Sequence, residues 1–208
     1  MTNINNLPLF LAAALVVAAT PGPGIFYVAG RTLAGGRREG IASSIGLGLG
    51  GLVHVIAGAI GISALVMTSA EAFTAVKFLG AVYLVWLGLK TWREARIPMP
   101  TDVQTTGSHQ ALREGIIVEA LNPKTAAFFL AFVPQFVDPS LPIAAQFLVL
   151  GLISVMLNTA ADLMVTYGAT IARAGLENHP SLIMRARQAS GAVMCGLGAS
   201  LFFARRST

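Results

Sequence analysis

Four titratable side chains lie inside strongly apolar stretches of this sequence. They are His54, Glu119, Lys124 and Asp162. A charged side chain at the centre of a bilayer costs at least about 2.5 kcal/mol, so residues of this kind usually have a partner or a function. The chemistry that they offer is proton transfer and the binding of a small charged molecule. We predict that Asp162, Glu119 and His54 take part in proton coupling.

The two carboxylates differ in their predicted surroundings. Asp162 follows Asn158 by one helical turn, so both side chains share a face. Asp162 is expected to carry a proton or to bind a substrate ammonium, and the alternative is a structural ion pair with Lys124. Glu119 is placed nearer the cytoplasmic end of its segment, where water reaches.

The two basic residues also allow more than one interpretation. Lys124 can hold a substrate carboxylate or neutralise a nearby acid, and its depth disfavours an extended side chain that reaches the lipid headgroups. His54 lies four residues from both Gly50 and Gly58, a glycine pattern that is typical of close helix packing. A histidine held by a backbone carbonyl and a proton relay therefore both stay open.

Proline-containing breaks interrupt two of the apolar runs. They are Thr20-Pro21-Gly22-Pro23-Gly24 and Asn122-Pro123-Lys124. Proline lacks a backbone N–H, so the carbonyls four residues earlier, on Val17, Ala19 and Glu119, lose their helical donors. Broken helices at membrane depth are typical of transporter binding sites. We predict that the residues of both breaks bind substrate, with helix N-termini facing its carboxylate and freed carbonyls facing its ammonium.

The composition is that of an integral membrane protein. Of the 208 residues, 55% are hydrophobic and 11% are charged, whereas soluble domains carry about 25% charged residues. The net charge is +5, but the basic residues lie at the ends of apolar runs. That arrangement indicates lipid headgroups and topology signals rather than nucleic acid. The single cysteine, Cys195, excludes an intrachain disulfide.

Six segments have the length and hydrophobicity of membrane spans. They are residues 7–30, 41–68, 73–92, 115–136, 142–171 and 189–204. The predicted fold is all-α, a polytopic membrane protein with six transmembrane helices. We expect a single transport domain of two inverted three-helix repeats, about residues 1–95 and 113–208, joined by a cytoplasmic loop over residues 96–112. The first and fourth helices are discontinuous.

Basic residues set the predicted orientation. Most of the 14 Lys and Arg residues follow the first, third and fifth segments, so those connectors are expected in the cytoplasm and both termini outside. Arg205 and Arg206 are exceptions. The first basic residue is Arg31, so the first segment lacks the positive start of a cleavable signal peptide and is predicted to be retained.

Further motifs extend along most of the chain, over about residues 5 to 205. In chain order with the two breaks they are Thr20-Pro21-Gly22-Pro23-Gly24, Gly36-Arg37-Arg38-Glu39-Gly40-Ile41, Gly51-Leu52-Val53-His54, Lys77-Phe78-Leu79-Gly80-Ala81-Val82-Tyr83-Leu84, Leu121-Asn122-Pro123-Lys124 and Pro134-Gln135-Phe136-Val137. Their order and spacing resemble the lysine exporter (LysE/RhtB) superfamily. The resemblance implies an inner-membrane carrier that exports homoserine, threonine, leucine, lysine or similar compounds, driven by the proton-motive force. Glu119 departs from it, because an uncharged residue such as asparagine is expected there.

Other functions are less consistent with the sequence. An intramembrane serine protease needs a paired serine and histidine, and a metalloenzyme needs clustered ligands, neither of which is apparent. We expect no cofactor, no metal site and no enzyme activity. A channel or scaffold, and the export of another solute such as a metal ion or a lactone, stay open, although soft metal ligands are few near the breaks. The expected partners are an amino acid, protons and lipids, with a homodimer left open.

Overall fold

A computed structural model describes residues 7–68, 70–96, 105–172 and 180–203. In these ranges the regular secondary structure is helical throughout. The α-helices are α1 (Leu7–Ala19), α2 (Pro23–Thr68), α3 (Ala70–Arg93), α4 (Ser108–Ala120), α5 (Pro123–Ala127), α6 (Ile143–Ala172) and α7 (Pro180–Phe203). A 3-10 turn, Glu94–Arg96, follows α3, and α5 continues as a π-helix, Phe128–Phe132, and a 3-10 helix, Val133–Phe136.

The two predicted helix breaks are present. Helix α1 ends at Ala19 and α2 begins at Pro23, while α4 ends at Ala120 and α5 begins at Pro123. Each proline starts a helix because its missing N–H is not needed in the first turn. The segments before and after the second break are bent by 41°.

Within the described residues, two helices are long and apolar enough to cross a membrane. They are Pro23–Gly61 of α2 and Ile143–Ile171 of α6. The bent pair Ser108–Ala120 and Pro123–Phe136 makes a third if it is one span, and α1 is a shorter apolar helix. The chain is therefore an all-helical membrane protein, and its arrangement as six spans in inverted repeats stays a prediction.

The predicted loop between residues 30 and 41 is not a loop. Helical structure runs from Pro23 to Thr68, and only Gly36 leaves it, with φ 77° and ψ −172°. Glycine adopts this positive φ without a steric penalty, so one residue joins two helical stretches. Helix α4 begins at Ser108, so residues 108–112, which were predicted to belong to the cytoplasmic loop, are helical.

Helix α2 lies between α4 and α6 and approaches both closely. A Cβ at Gly50 would lie 2.5 Å from the carbonyl oxygen of Ile116 in α4, and one at Gly48 would lie 2.7 Å from the hydroxyl of Thr159 in α6. Small residues permit this close approach of helices. The predicted packing role of the glycine face is confirmed, and it places the walls of the site described below.

Two apolar groups complete the packing. Phenylalanines from α1, the π-helix and α6 form a buried cluster that consists of Phe10, Phe128, Phe129, Phe132 and Phe147. Helix α3 packs mainly on α7, where Gly88 lies against the Gly191 backbone. The phenylalanine cluster supports the segment that follows the second break.

Candidate functional site

Lys124 connects the two breaks. Its ammonium Nζ donates hydrogen bonds to the carbonyl oxygens of Val17, at 2.9 Å, and Thr20, at 2.8 Å. Val17 lies in the last turn of α1 and Thr20 directly follows it, and the Val17 carbonyl also accepts from the Thr20 N–H at 3.2 Å. Lys124 is only 6% exposed. The two breaks therefore lie in contact with each other.

Asn122 and Thr125 hold the Glu119 carboxylate. Asn122 Nδ2 donates to Oε2 at 2.8 Å, and Thr125 Oγ1 donates to Oε1 at 2.6 Å. Asn122 Oδ1 also accepts from the Lys124 backbone N–H at 3.1 Å, which caps α5. Glu119 is 8% exposed, so its predicted place near water is wrong. The 41° bend after Ala120 places the Glu119 carboxylate beside the start of α5.

His54 is held by a backbone carbonyl. Its Nε2 lies 2.8 Å from the carbonyl oxygen of Glu119, and its ring stacks on Phe129 with the centroids 5.9 Å apart. Because a carbonyl only accepts, Nε2 carries the proton. This is the structural interpretation of the two that the sequence left open, and the proton-relay role stays a prediction.

The freed carbonyls are occupied rather than open. Lys124 occupies the Val17 carbonyl, and the Glu119 carbonyl accepts from both His54 and the Asn122 N–H. The expectation that these two carbonyls are free for a substrate ammonium is wrong. Buried carbonyls that lose a helical donor must find another partner, and the protein supplies it.

A narrow cavity of about 20 Å³ lies between α2, α5 and α6. This is room for roughly one water molecule. Its polar wall consists of Glu119, Asn122, Lys124, Thr125, Asn158, Thr159 and Asp162, and its apolar wall includes Ile25, Leu47, Phe129 and Val155. Gly24 of the first break also lines it. Polar groups that converge in an otherwise apolar cavity are typical of a small-molecule site.

Asp162 differs from the other charged groups of this cavity. It is 6% exposed and lines the cavity. In the part of the chain that the structure describes, its carboxylate forms no hydrogen bond and no ion pair. No direct salt bridge with Lys124 forms among the described residues, because the lysine ammonium donates to the carbonyls of Val17 and Thr20, but the two charges lie close enough to interact electrostatically. Asn158 lines the same cavity and donates to the Ser154 carbonyl at 2.8 Å.

The glycines of the first break lie against the second break. A Cβ at Gly22 would lie 3.2 Å from Lys124 Cδ, and one at Gly24 would lie 3.2 Å from Glu119 Oε2. A side chain at either position would push on the Lys124 or Glu119 side chain. The Glu119 carboxylate consequently faces the first turn of α2, where the helix dipole favours a negative charge.

Thr20 lies on the other side of Lys124. Its hydroxyl donates to the Val16 carbonyl at 2.5 Å. Thr20 and Lys124 line a second, small apolar cavity of about 10 Å³ together with Val17, Phe128, Phe132, Val193, Met194 and Leu197. Thr20 is therefore outside the polar cavity, and Lys124 borders both.

The sequence interpretation missed an ionic cluster that joins α2 to α4. Arg31 pairs with Glu114, and its Nη1 lies 4.0 Å from Glu39 Oε2. Tyr27 donates to the Ala111 carbonyl at 2.8 Å. Arg31 is only 7% exposed. The sequence analysis counted it as a topology marker, although Tyr27 and Arg31 at a spacing of four residues already indicated a shared helical face.

The fold is that of a helical membrane protein with a polar cavity at two helix breaks. The sequence profile described as "LysE type translocator" matches residues 15–205. The chain belongs to this family. Its members are transporters, so the prediction that this protein is a transporter and not an enzyme is confirmed.

Several curated proteins are similar along most of the chain. An uncharacterized membrane protein of Vibrio cholerae is 36% identical over 204 residues, which cover 94% of this chain and 96% of that protein. A homoserine/homoserine lactone efflux protein of Salmonella typhimurium is 32% identical, with 95% and 96% covered. A leucine efflux protein of Klebsiella pneumoniae is 29% identical, with 64% of each covered. No solved structure matches the chain.

Proposed function

We propose that this protein is a proton-coupled exporter of a small amino acid or a related metabolite across the bacterial inner membrane. The observation that carries the proposal is Asp162, a buried carboxylate with no hydrogen bond or salt bridge among the described residues, in a polar cavity where two broken helices meet. One similar protein is named as an efflux protein for homoserine and homoserine lactone, and another as an efflux protein for leucine. These names support the substrate class.

Asp162 alternates between a proton and the substrate ammonium. A carboxylate that binds either cation, but not both, links the inward movement of one to the outward movement of the other. Glu119 and His54 belong to the same charge network, because His54 binds the backbone of Glu119. The residues of both breaks form the rest of the site and allow their helices to move during alternating access.

The proposed architecture is six spans in two inverted three-helix repeats, with both termini outside. The two proline breaks at the starts of α2 and α5 support this repeat, since each is a small polar residue followed by proline. Cysteine labelling from outside intact cells tests the orientation. Cysteines introduced at Thr2 and Ser207 should react with an impermeant maleimide, and protection of either one contradicts the assignment.

Proteoliposomes test the function. Purified protein should exchange labelled L-leucine or L-homoserine against an unlabelled internal pool of the same compound. An imposed pH gradient should drive net transport, and a protonophore should abolish that part alone. A channel shows no saturable counterflow, so its absence for a panel of amino acids rejects the carrier. Counterflow that ignores the pH gradient rejects the proton coupling.

A further inference from the structure

We propose that the site recognises the ammonium of its substrate and does not require a substrate carboxylate. This inference rests on the proposed function and specifies which chemical group is selected. It predicts that amines and amino acids with a masked carboxyl group are substrates or competitors of this exporter.

The first anion-binding group is the start of α2. Backbone N–H groups in the first turn of a helix attract a carboxylate. The protein's own Glu119 carboxylate faces this turn, next to Gly24, and it is fixed there by hydrogen bonds from Asn122 and Thr125. A substrate carboxylate at the same place would meet a like charge.

The second group is the start of α5, and the third is the Lys124 ammonium. The Asn122 side chain already accepts from the N–H of Lys124. The ammonium donates two of its three N–H groups to the carbonyls of Val17 and Thr20, at the end of α1 and just beyond it. The protein's own groups therefore occupy part of each anion-binding group predicted from the sequence, which leaves less of the site to a substrate carboxylate.

The cation-binding side of the cavity is open. Asp162 is buried, lines the cavity, and has no hydrogen bond or ion pair within the described ranges. Glu119 and Asp162 together outnumber Lys124, so with all three ionised the described lining has an excess of negative charge. A buried, unbalanced negative charge favours a cation over a zwitterion. The apolar wall of Leu47, Phe129 and Val155 suits the uncharged remainder of an amine.

Competition in proteoliposomes tests this inference. Counterflow of labelled L-leucine is measured near pH 6.5, about one unit below the ordinary pKa of an α-amino group. The competitors are L-leucinamide, which keeps the ammonium and lacks the carboxylate, and 4-methylpentanoate, which keeps the carboxylate and lacks the ammonium. L-homoserine replaces L-leucine as the labelled compound if it is the better substrate.

We expect leucinamide to compete as well as unlabelled leucine and 4-methylpentanoate to be at least about tenfold weaker, the ratio for one lost charge-assisted hydrogen bond. Asp162→Asn should lower the affinity for leucinamide by a similar factor. Competition by 4-methylpentanoate without competition by leucinamide overturns the inference and leaves the exporter proposal intact. Absence of counterflow for both leucine and homoserine instead rejects the proposed substrate class.

Discussion

The Lys124 ammonium and the Val17 carbonyl oxygen lie 2.9 Å apart and connect the two helix breaks. The bond joins residues 107 positions apart in the chain. The donor is a side chain directly after Pro123, and the acceptor is a carbonyl four residues before Pro21. A break in one helix is thus satisfied by a side chain from the other, which gives the site a defined geometry without continuous helices.

Removing this donor should destabilise the protein. We expect Lys124→Met to lower the free energy of unfolding by about 1–3 kcal/mol, because a buried carbonyl loses its partner. Thermal unfolding of the purified protein in detergent measures this. The control is Lys90→Met, at an exposed lysine in α3 whose ammonium lies over Trp86. Equal thermal stability of the two variants would contradict the role of Lys124.

Asp162→Asn should separate exchange from coupling. The amide keeps the size of the side chain but cannot release a proton, so pH-driven net efflux is expected to fall at least tenfold. Counterflow should be less affected than net efflux. Undiminished proton-driven efflux would remove Asp162 from the mechanism.

Asp138→Asn is the matched control for that experiment. Asp138 lies in the connector between residues 136 and 143, where hydrogen bonds from Ser140 hold the pKa of its carboxyl below the ordinary value. It therefore stays ionised at neutral pH and does not exchange protons over the range of the assay. We expect this variant to couple transport as the wild type does.

Glu119 and Asn122 allow a reciprocal exchange. Glu119→Gln replaces one of the two carboxylate oxygens by an NH2 group. That group either faces the NH2 donor of Asn122 or takes the place of the oxygen that accepts from Thr125. We therefore expect the free energy of unfolding to fall by about 1–3 kcal/mol. In the double variant Glu119→Gln with Asn122→Asp, the new amide donates to the new carboxylate, so the hydrogen bond is restored in the opposite direction. Aspartate also caps a helix as asparagine does. Thermal unfolding should show recovery in the double variant. A double variant that is no more stable than the single one argues against the direct hydrogen bond.

Gly50 and Gly61 test the close packing of α2. Gly50→Ala places a methyl group against the α4 backbone at Ile116 and should cost about 1–3 kcal/mol through overpacking. Gly61→Ala, in the same helix, has nothing within 4 Å of the new methyl group. It should be neutral or slightly stabilising, because alanine favours helix more than glycine does. Comparable unfolding temperatures for both variants would refute the packing argument.

Arg31→Met tests the ionic cluster between α2 and α4. It leaves Glu39, which is 5% exposed, without its nearest cation, and removal of one member of a buried pair costs about 3–5 kcal/mol. Arg38→Met, at an exposed position of the same helix, is the control and should have little effect. Denaturation monitored by tryptophan fluorescence compares the two. A small effect of Arg31→Met would indicate that the cluster is solvated.

The sequence by itself determined the class of the protein and the positions of both breaks. Apolar runs and proline act through neighbouring residues, so the membrane character, the starts of α2 and α5 and the burial of Asp162 and Lys124 could be predicted locally. The single-residue turn at Gly36 was missed, because the residue type alone does not show which glycine adopts a positive φ.

Only the tertiary structure decided which polar groups are paired. By sequence, Lys124 was expected to hold a substrate carboxylate or to neutralise an acid, but it binds the carbonyls of Val17 and Thr20. Glu119 is held by Asn122 and Thr125, and Asp162 has no hydrogen bond or salt bridge among the described residues. Pairing depends on distances and directions of a few ångströms between residues far apart in the chain. Sequence spacing within one helix carries no information about those distances, and helix packing sets them.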